Sequence, residues 1–330
     1  MTPTWFGPFV LRALSKTAPY PSRLGLDGTQ LWARVANPSR EWRTSGSITP
    51  VPTLSPPQIS RRPHRAPRWA SGTLDGMSYS ANPTSDGSRP IAVVTGASSG
   101  IGEATARMLA AAGFEVIVAA RRLDRLQALA TEIDGRAAAL DVRDRAAVEA
   151  FAAGIPRVSL LVNNAGGAYG MESIAQSVDE HWRVMWETNV FGLMLVTRAL
   201  LPALEASGAG HIVNIGSIAG LESYPNGAGY TSAKHAVVAI TETLRVELLG
   251  KPIRVTEIDP GMVETEFSVV RFGGDATRAK KVYEGVEPLV AEDIADCVTW
   301  VATRPPHVNI DHMRVTPLAQ ASATLVNRKL

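Results

Sequence analysis

The stretch IAVVTGASSGIGEATARMLAAAG, residues 91–113, constrains the fold of this chain more than any other. Ile91 to Val94 is a short apolar run suited to a strand buried on both faces. A turn follows that contains Gly96, Ser98, Ser99, Gly100, Ile101 and Gly102, and then the helical stretch EATARMLAAAG. Strand, glycine turn and helix in that order leave free N–H groups at a helix N-terminus, where a pyrophosphate binds. Glycines are required where the backbone turns with positive φ or approaches a ligand closely. The spacing G-x-x-x-G-x-G has no Gly-Lys-Ser/Thr ending, which argues against a P-loop nucleotide triphosphatase.

Alternation continues along the chain. Phe114 to Ala119 reads as a second strand and runs into Ala120-Arg121-Arg122. A dinucleotide site for NAD usually carries an acid here to accept from the ribose 2′-OH. Two guanidiniums instead suit a 2′-phosphate and so NADP; the other reading is a solvated pair opening the helix RLDRLQALATEI. Ala138 to Val142 ends a third strand, with Asp141 and Val142 placed to meet an adenine, and residues 157–166 form a fourth ending in Asn163-Asn164-Ala165-Gly166. Strands alternating with helices imply an α/β fold, a parallel sheet covered on both faces, with ligands at the carboxyl ends of the strands.

A second constellation lies in GAGYTSAKHAVVAITETLRVEL, a helical run with apolar residues at Val237, Val238, Ile240 and Leu244. Tyr230 and Lys234 are four residues apart and share a face. A phenol titrates near pH ~10; a cation held close would lower that value, as a general acid/base near neutrality requires. A solvated helix face produces the same pattern.

One cysteine, Cys297, excludes an intrachain disulfide framework and suits a reducing compartment, so a cytoplasmic location is expected. It reads as a small core residue. The six histidines have no metal-ligand spacing, and no uninterrupted apolar run approaches the roughly 18 residues needed to span a bilayer. Residues 1–76 differ in character: they carry ten Lys/Arg against three Asp/Glu and hold eleven of the 22 prolines and four of the seven tryptophans. They read as sequence upstream of a start at Met77, as a transit peptide, or as a basic tail. Residues 1–88 are expected to be a disordered leader, and 89–330 the folded domain. Nucleic-acid binding would rest on the leader alone.

The chain resembles the short-chain dehydrogenase/reductase family. The resemblance is carried by TGASSGIG (95–102), NNAG (163–166), Asn189 in ETNVFG, Ser217 in NIGSIAG, YTSAK (230–234) and DPGMVETEF (259–267), in the family's order over about residues 90–330. It implies a single doubly wound, Rossmann-type domain with a seven-stranded parallel sheet, the last strand near 308–317. It also implies roles: Tyr230 as acid/base, Lys234 lowering its pKa and holding the nicotinamide ribose, and Ser217 orienting the substrate oxygen. Asn189 would support a water, with a helix-interior amide bonded to backbone as the other reading. Pro260, Gly261, Val263 and Thr265 would contact the nicotinamide and its phosphate.

Within the family, TEFSVVRF, the stretch from Leu161 to Met171 and the tail RPPHVNIDHMRVTPLAQ look like the NADP-dependent 3-hydroxy acid (serine-type) dehydrogenases, typically homotetramers. Arg271 falls in the segment after Thr265, the usual place for a covering loop, and could hold a substrate carboxylate bidentately; a surface arginine on a loop is the alternative. Glu222 departs from this picture, an acid near the mouth of a pocket meant for acids unless it meets an amine or faces solvent. The expected activity is NADP-dependent oxidoreduction of a small 3-hydroxy acid or amino alcohol. The alternatives are an NADPH-dependent reductase of bulkier aldehydes or ketones and a non-catalytic NADP(H)-binding sensor.

Overall fold

Ile91–Thr95 forms strand β1 and Gly100–Ala111 helix α1, so the opening unit folds as strand, turn and helix. The computed structural model describes residues 79–81, 84 and 87–329, all within the unit Pro67–Leu330. The chain then runs through β2 (Glu115–Ala120), α2 (Leu123–Glu132), β3 (Arg136–Ala139), α3 (Arg145–Ala153) and β4 (Leu160–Asn163). Helices α4 (Asp179–Trp186) and α5 (Leu193–Ala206) follow, then β5 (Gly210–Ile215), α6 (Ala228–Glu247) and β6 (Ile253–Pro260). Two short helices, α7 (Glu266–Arg271) and α8 (Ala276–Lys281), precede α9 (Ala291–Ala302) and β7 (His312–Val315).

The seven strands make one parallel sheet in the order β3-β2-β1-β4-β5-β6-β7. The order reverses between β1 and β4, so a crevice opens at their carboxyl ends. Period-two alternation sorts the side chains: Ala92, Val94, Val116, Val118 and Val162 face α1, α2 and α9, whereas Val93, Ile117, Leu161 and Ile212 face α3 and α5. Both faces of the central strands are buried, which is why those strands read as continuous apolar runs. Leu109 and Leu200, each at 0% exposure, sit on opposite faces; Leu→Ala at such a site costs about 2–5 kcal/mol.

Several expected boundaries shift. The third strand ends at Ala139 rather than Val142, and Leu140, Asp141 and Val142 turn over the sheet edge. The fourth is Leu160–Asn163, shorter than 157–166, because only those residues pair with β1 and β5. Within the expected leader, Tyr79 and Ala81 pack on the core and the Ala81 N–H donates to Ala112 O at 2.8 Å. The other expectations for the leader concern residues 1–78, which lie outside the described residues. Among the described residues one helical stretch, Asp179–Ala206, is long and apolar enough to cross a membrane. Its buried Leu195, Val196, Leu200 and Leu204 pack on the sheet, which accounts for its apolarity.

Candidate active site

At the carboxyl edge a groove with a cavity volume of ≈ 740 Å³ runs from the glycine turn to α7. Its first half is made largely of backbone. Gly96 has φ +66°, and a Cβ there would meet Ala165 Cα and Asn164 Nδ2 at 2.8 Å. The Thr95 hydroxyl accepts from the N–H groups of Asn164 and Ala165, each at 3.0 Å, and Asn164 Nδ2 donates to Thr95 O at 2.9 Å. These bonds seat the ends of β1 and β4 against each other. Ser98, Ser99, Gly100 and Ile101 line the groove, as do Asn164, Ala165 and Gly166. Gly102, also expected at the cofactor, is packed behind the turn, where a Cβ would meet Gly96 O at 2.6 Å.

Both arginines at the end of β2 line the groove. Arg122 donates to Ser98 Oγ at 3.0 Å and Ser99 Oγ at 2.8 Å, so its guanidinium lies on the glycine turn. It also pairs with Glu266 at 2.9 Å, which Arg125 holds from the other side at 2.7 Å; Arg125 and Arg122 together pull that carboxyl down to about 2. Asp141 and Val142 line the far end. Arg143 caps it, bonding both Asp141 oxygens and holding that acid below the usual carboxylate range. Arg143 was not anticipated; its proximity to Asp141 in an Asp-x-Arg sequence was the available signal. Pro260, Gly261, Val263 and Thr265 form the opposite wall.

Side chains dominate the second half. Ser217 follows β5, while Tyr230 and Lys234 occupy the first two turns of α6, and all three are buried yet line the groove. Burial pushes the Tyr230 phenol above its ordinary value; the Ser217 hydroxyl and the Arg271 guanidinium pull it back. Lys234 stands one helical turn beyond Tyr230 on the same groove. Its Nζ donates to Ile215 O at 2.8 Å and lies 5.9 Å from the centre of the Tyr230 ring. Burial brings Lys234 itself down to about 8, opposed by the nearby carboxylates of Glu257 and Asp259.

Asn189 sits in a π-helical turn, Glu187–Gly192, between α4 and α5, and its amide donates to Gly167 O at 2.9 Å and Met185 O at 2.8 Å. The side chain therefore satisfies the backbone of the loop after β4. A wider helical turn leaves carbonyls in need of such partners.

Arg271 closes the pocket over Tyr230. Its Nε donates to Gly170 O at 3.1 Å, and its guanidinium carbon lies 5.8 Å from the Tyr230 ring centre and 5.7 Å from that of Tyr224. Its Nη2 is buried and has no hydrogen-bond partner among the described residues. Tyr169, Tyr224 and Phe267 complete the wall and had no motif to announce them. Glu222 is resolved: it bonds Arg314 at 2.7 Å and the Ala323 N–H at 2.7 Å, so it fastens the C-terminal segment rather than facing substrate. That segment reaches back to the groove, where Gln320 Oε1 accepts from Met262 N–H at 2.8 Å. Cys297 is a half-buried core residue, and no cluster with metal-holding composition occurs among the described residues.

Comparison with known proteins agrees with this geometry. Residues 90–272 match the family described as short chain dehydrogenase. The chain is 46% identical to a sulfoacetaldehyde reductase of Chromohalobacter salexigens over 237 residues, 69% of this chain and 94% of the relative. It is 45% identical to an NADP-dependent 3-hydroxy acid dehydrogenase of Salmonella typhi over 242 residues, 71% and 98% of the two chains. Among solved structures, the closed form of a serine dehydrogenase complexed with NADP+ superposes with a TM-score of 0.69 at 42% identity, covering 73% of this chain and all of the other. With a glycine turn, a doubly wound sheet and a Ser–Tyr–Lys cluster on one groove, this chain belongs to the short-chain dehydrogenase family.

Proposed function

We propose that this protein is an NADP-dependent oxidoreductase that interconverts a small hydroxy acid and its carbonyl form. One observation carries the substrate class: the buried, unpartnered Nη2 of Arg271 beside the Tyr230 ring. A guanidinium removed from water needs an acceptor, and a carboxylate or sulfonate on the substrate supplies one in bidentate geometry. The anionic substrates in the names of the two relatives support the same reading.

The groove fits the cofactor. The glycine turn and the N-terminus of α1 lie on the groove, where free N–H groups suit a pyrophosphate. Arg121 and Arg122, with no acid at the end of β2, provide for a 2′-phosphate. Bound NADP(H) supplies the hydride acceptor or donor, and the chain supplies orientation and proton transfer. Tyr230, whose phenol is favoured by its burial, donates its proton to a carbonyl oxygen in the reductive direction; in the oxidative direction its phenolate takes the alcohol proton. Ser217 orients that oxygen. Lys234, whose proton is lost as pH rises through about 8, supplies the positive charge that favours the phenolate. Arg271 anchors the substrate's acid group and, on α7, draws the lid over it. A homotetrameric assembly and a cytoplasmic location belong to the same proposal.

The test follows nicotinamide absorbance with NADP and then NAD. The substrates are serine, allo-threonine, 3-hydroxypropionate, 3-hydroxyisobutyrate and sulfoacetaldehyde, beside uncharged secondary alcohols and aldehydes. Turnover confined to the anionic compounds with NADP is expected. Turnover of uncharged, bulkier carbonyls alone would replace the hydroxy-acid assignment with the broader reductase, and NADP binding without any turnover would point to a sensor.

A further inference from the structure

A pair of acids lies directly beneath the catalytic cluster. Glu257 and Asp259 are two residues apart on β6 and point to the same side, toward α6, with exposures of 3% and 0%. Room for them exists because position 216 is glycine: a Cβ there would fall on both carboxyl groups. Asp259 Oδ1 accepts from the Ser217 N–H at 2.7 Å. Its other oxygen is bonded to Nε2 of His312, the first residue of β7, whose ring is 42% exposed. An unbroken polar connection thus runs from solvent through an imidazole and a buried carboxylate to the main chain of Ser217. Lys234 feels both acids.

Two adjoining carboxyls are costly in such a place. Burial and their mutual repulsion push Glu257 upward, and burial does the same to Asp259 against the pull of His312. Glu257 Oε1 lacks a hydrogen-bond partner among the described residues. Neighbouring Val255 and Ile258 show that apolar residues suit the rest of this strand. A fold needing only packing here has no use for the pair, whereas a lysine buried beside a tyrosine does.

We propose that His312 is a positioning residue for the reaction: through Asp259 it fixes the Ser217 main chain and keeps negative charge beneath Lys234, so an imidazole at the protein surface governs how firmly Lys234 holds its proton. The proposal rests on the reading that Ser217, Tyr230 and Lys234 carry the chemistry. The charged groups around the pair are Glu257 from β6, Lys234 and Arg245 from α6, and Asp311 and Arg314 flanking His312, with Arg245 paired to Asp311. An imidazolium favours the ionised Asp259, and ionised Asp259 opposes the effect of burial on Lys234. Without His312, Asp259 takes up a proton more readily and Lys234 gives one up at lower pH.

The experiment uses the full chain with His312→Leu, His312→Gln, Asp259→Asn and the His312→Leu/Asp259→Asn double variant. It measures kcat and KM against pH with the best substrate of the panel above, NADP affinity by titration of the intrinsic tryptophan fluorescence, and thermal unfolding. His312→Leu is expected to lower kcat about tenfold, the scale of one pKa unit of charge coupling. Its NADP affinity should stay unchanged, and the alkaline fall of kcat should move to lower pH. His312→Gln, which retains a hydrogen-bond donor, should recover part of kcat without restoring the alkaline limb. The double variant should be no worse than Asp259→Asn, because both act through one connection. An unshifted alkaline limb in His312→Leu overturns the proposal, even if its melting temperature falls, and so do fully additive losses. Tyr230→Phe, assayed in parallel, separates the two ideas. If it abolishes turnover while His312→Leu behaves as wild type, only the positioning role is lost; if it retains turnover, the catalytic reading falls and this inference with it.

Discussion

The two halves of the groove are built differently. The cofactor half is built largely of backbone at the strand ends: the turn at 95–102, the start of α2 at the arginines 121–122, and Thr95 stitched to Asn164 across the β1–β4 crevice. The substrate half uses single side chains carried from distant segments. Arg271 is tied to Gly170, 101 residues away, and Glu222 to Ala323, also 101 residues away. Backbone sites depend on local geometry that few residues can adopt, so they leave a dense signature. Side-chain sites depend on which loops meet, so one family scaffold can change substrate without disturbing its cofactor groove.

Substitutions can break or sharpen that contrast. The largest effect is expected for Tyr230→Phe, which removes the group placed for proton transfer: kcat should fall on the order of 10²–10⁴-fold, with NADP affinity preserved. A comparable loss of NADP binding would mean the two halves are not separable. Arg271→Ala comes next. Loss of a charge-assisted bond worth about 1.5–3 kcal/mol should raise KM for hydroxy acids about 10–150-fold and spare uncharged substrates. Equal losses on both classes would make Arg271 a structural clasp on Gly170.

Arg122→Ala should weaken NADP by about tenfold through loss of one phosphate contact while leaving NAD nearly unchanged, measured by titration of each. If both weaken alike, Arg122 serves the glycine turn through Ser98 and Ser99 and not the 2′-phosphate. Glu222→Gln is the mildest. It touches an exposed ion pair and one N–H, so kcat/KM should move by less than about twofold; a larger loss would show that the C-terminal segment around Gln320 shapes the pocket.

Much of this was legible in the chain. The strand–turn–helix unit, the alternation that implies a parallel sheet and the arginines after β2 follow from residues whose spacing carries meaning by itself, whereas Ser217 joined Tyr230 and Lys234 only through the resemblance to a family. Other details of placement were not legible, for identifiable reasons. Glycine at 102 is required by Gly96 O behind the turn. The amide of Asn189 is handed to Gly167 and Met185 by a π-helical turn that no spacing announces. Lys234 stands one turn from Tyr230, yet its ammonium is directed to Ile215 O, because helical spacing specifies a shared face and not where a long side chain ends.

Sequence by itself determined the elements, since hydrophobic periodicity and glycine geometry are local properties that each segment expresses alone. It determined the cofactor edge for the same reason. Only the tertiary structure decided that Glu222 answers Arg314 and not a substrate, that Arg271 lies between two tyrosine rings with one nitrogen unpaired, and that His312 meets Asp259 beneath Ser217. Each of these joins residues far apart along the chain. Their pairing is set by the sheet order and by burial, which strengthens some charges and silences others, and neither is written in the spacing of any one segment.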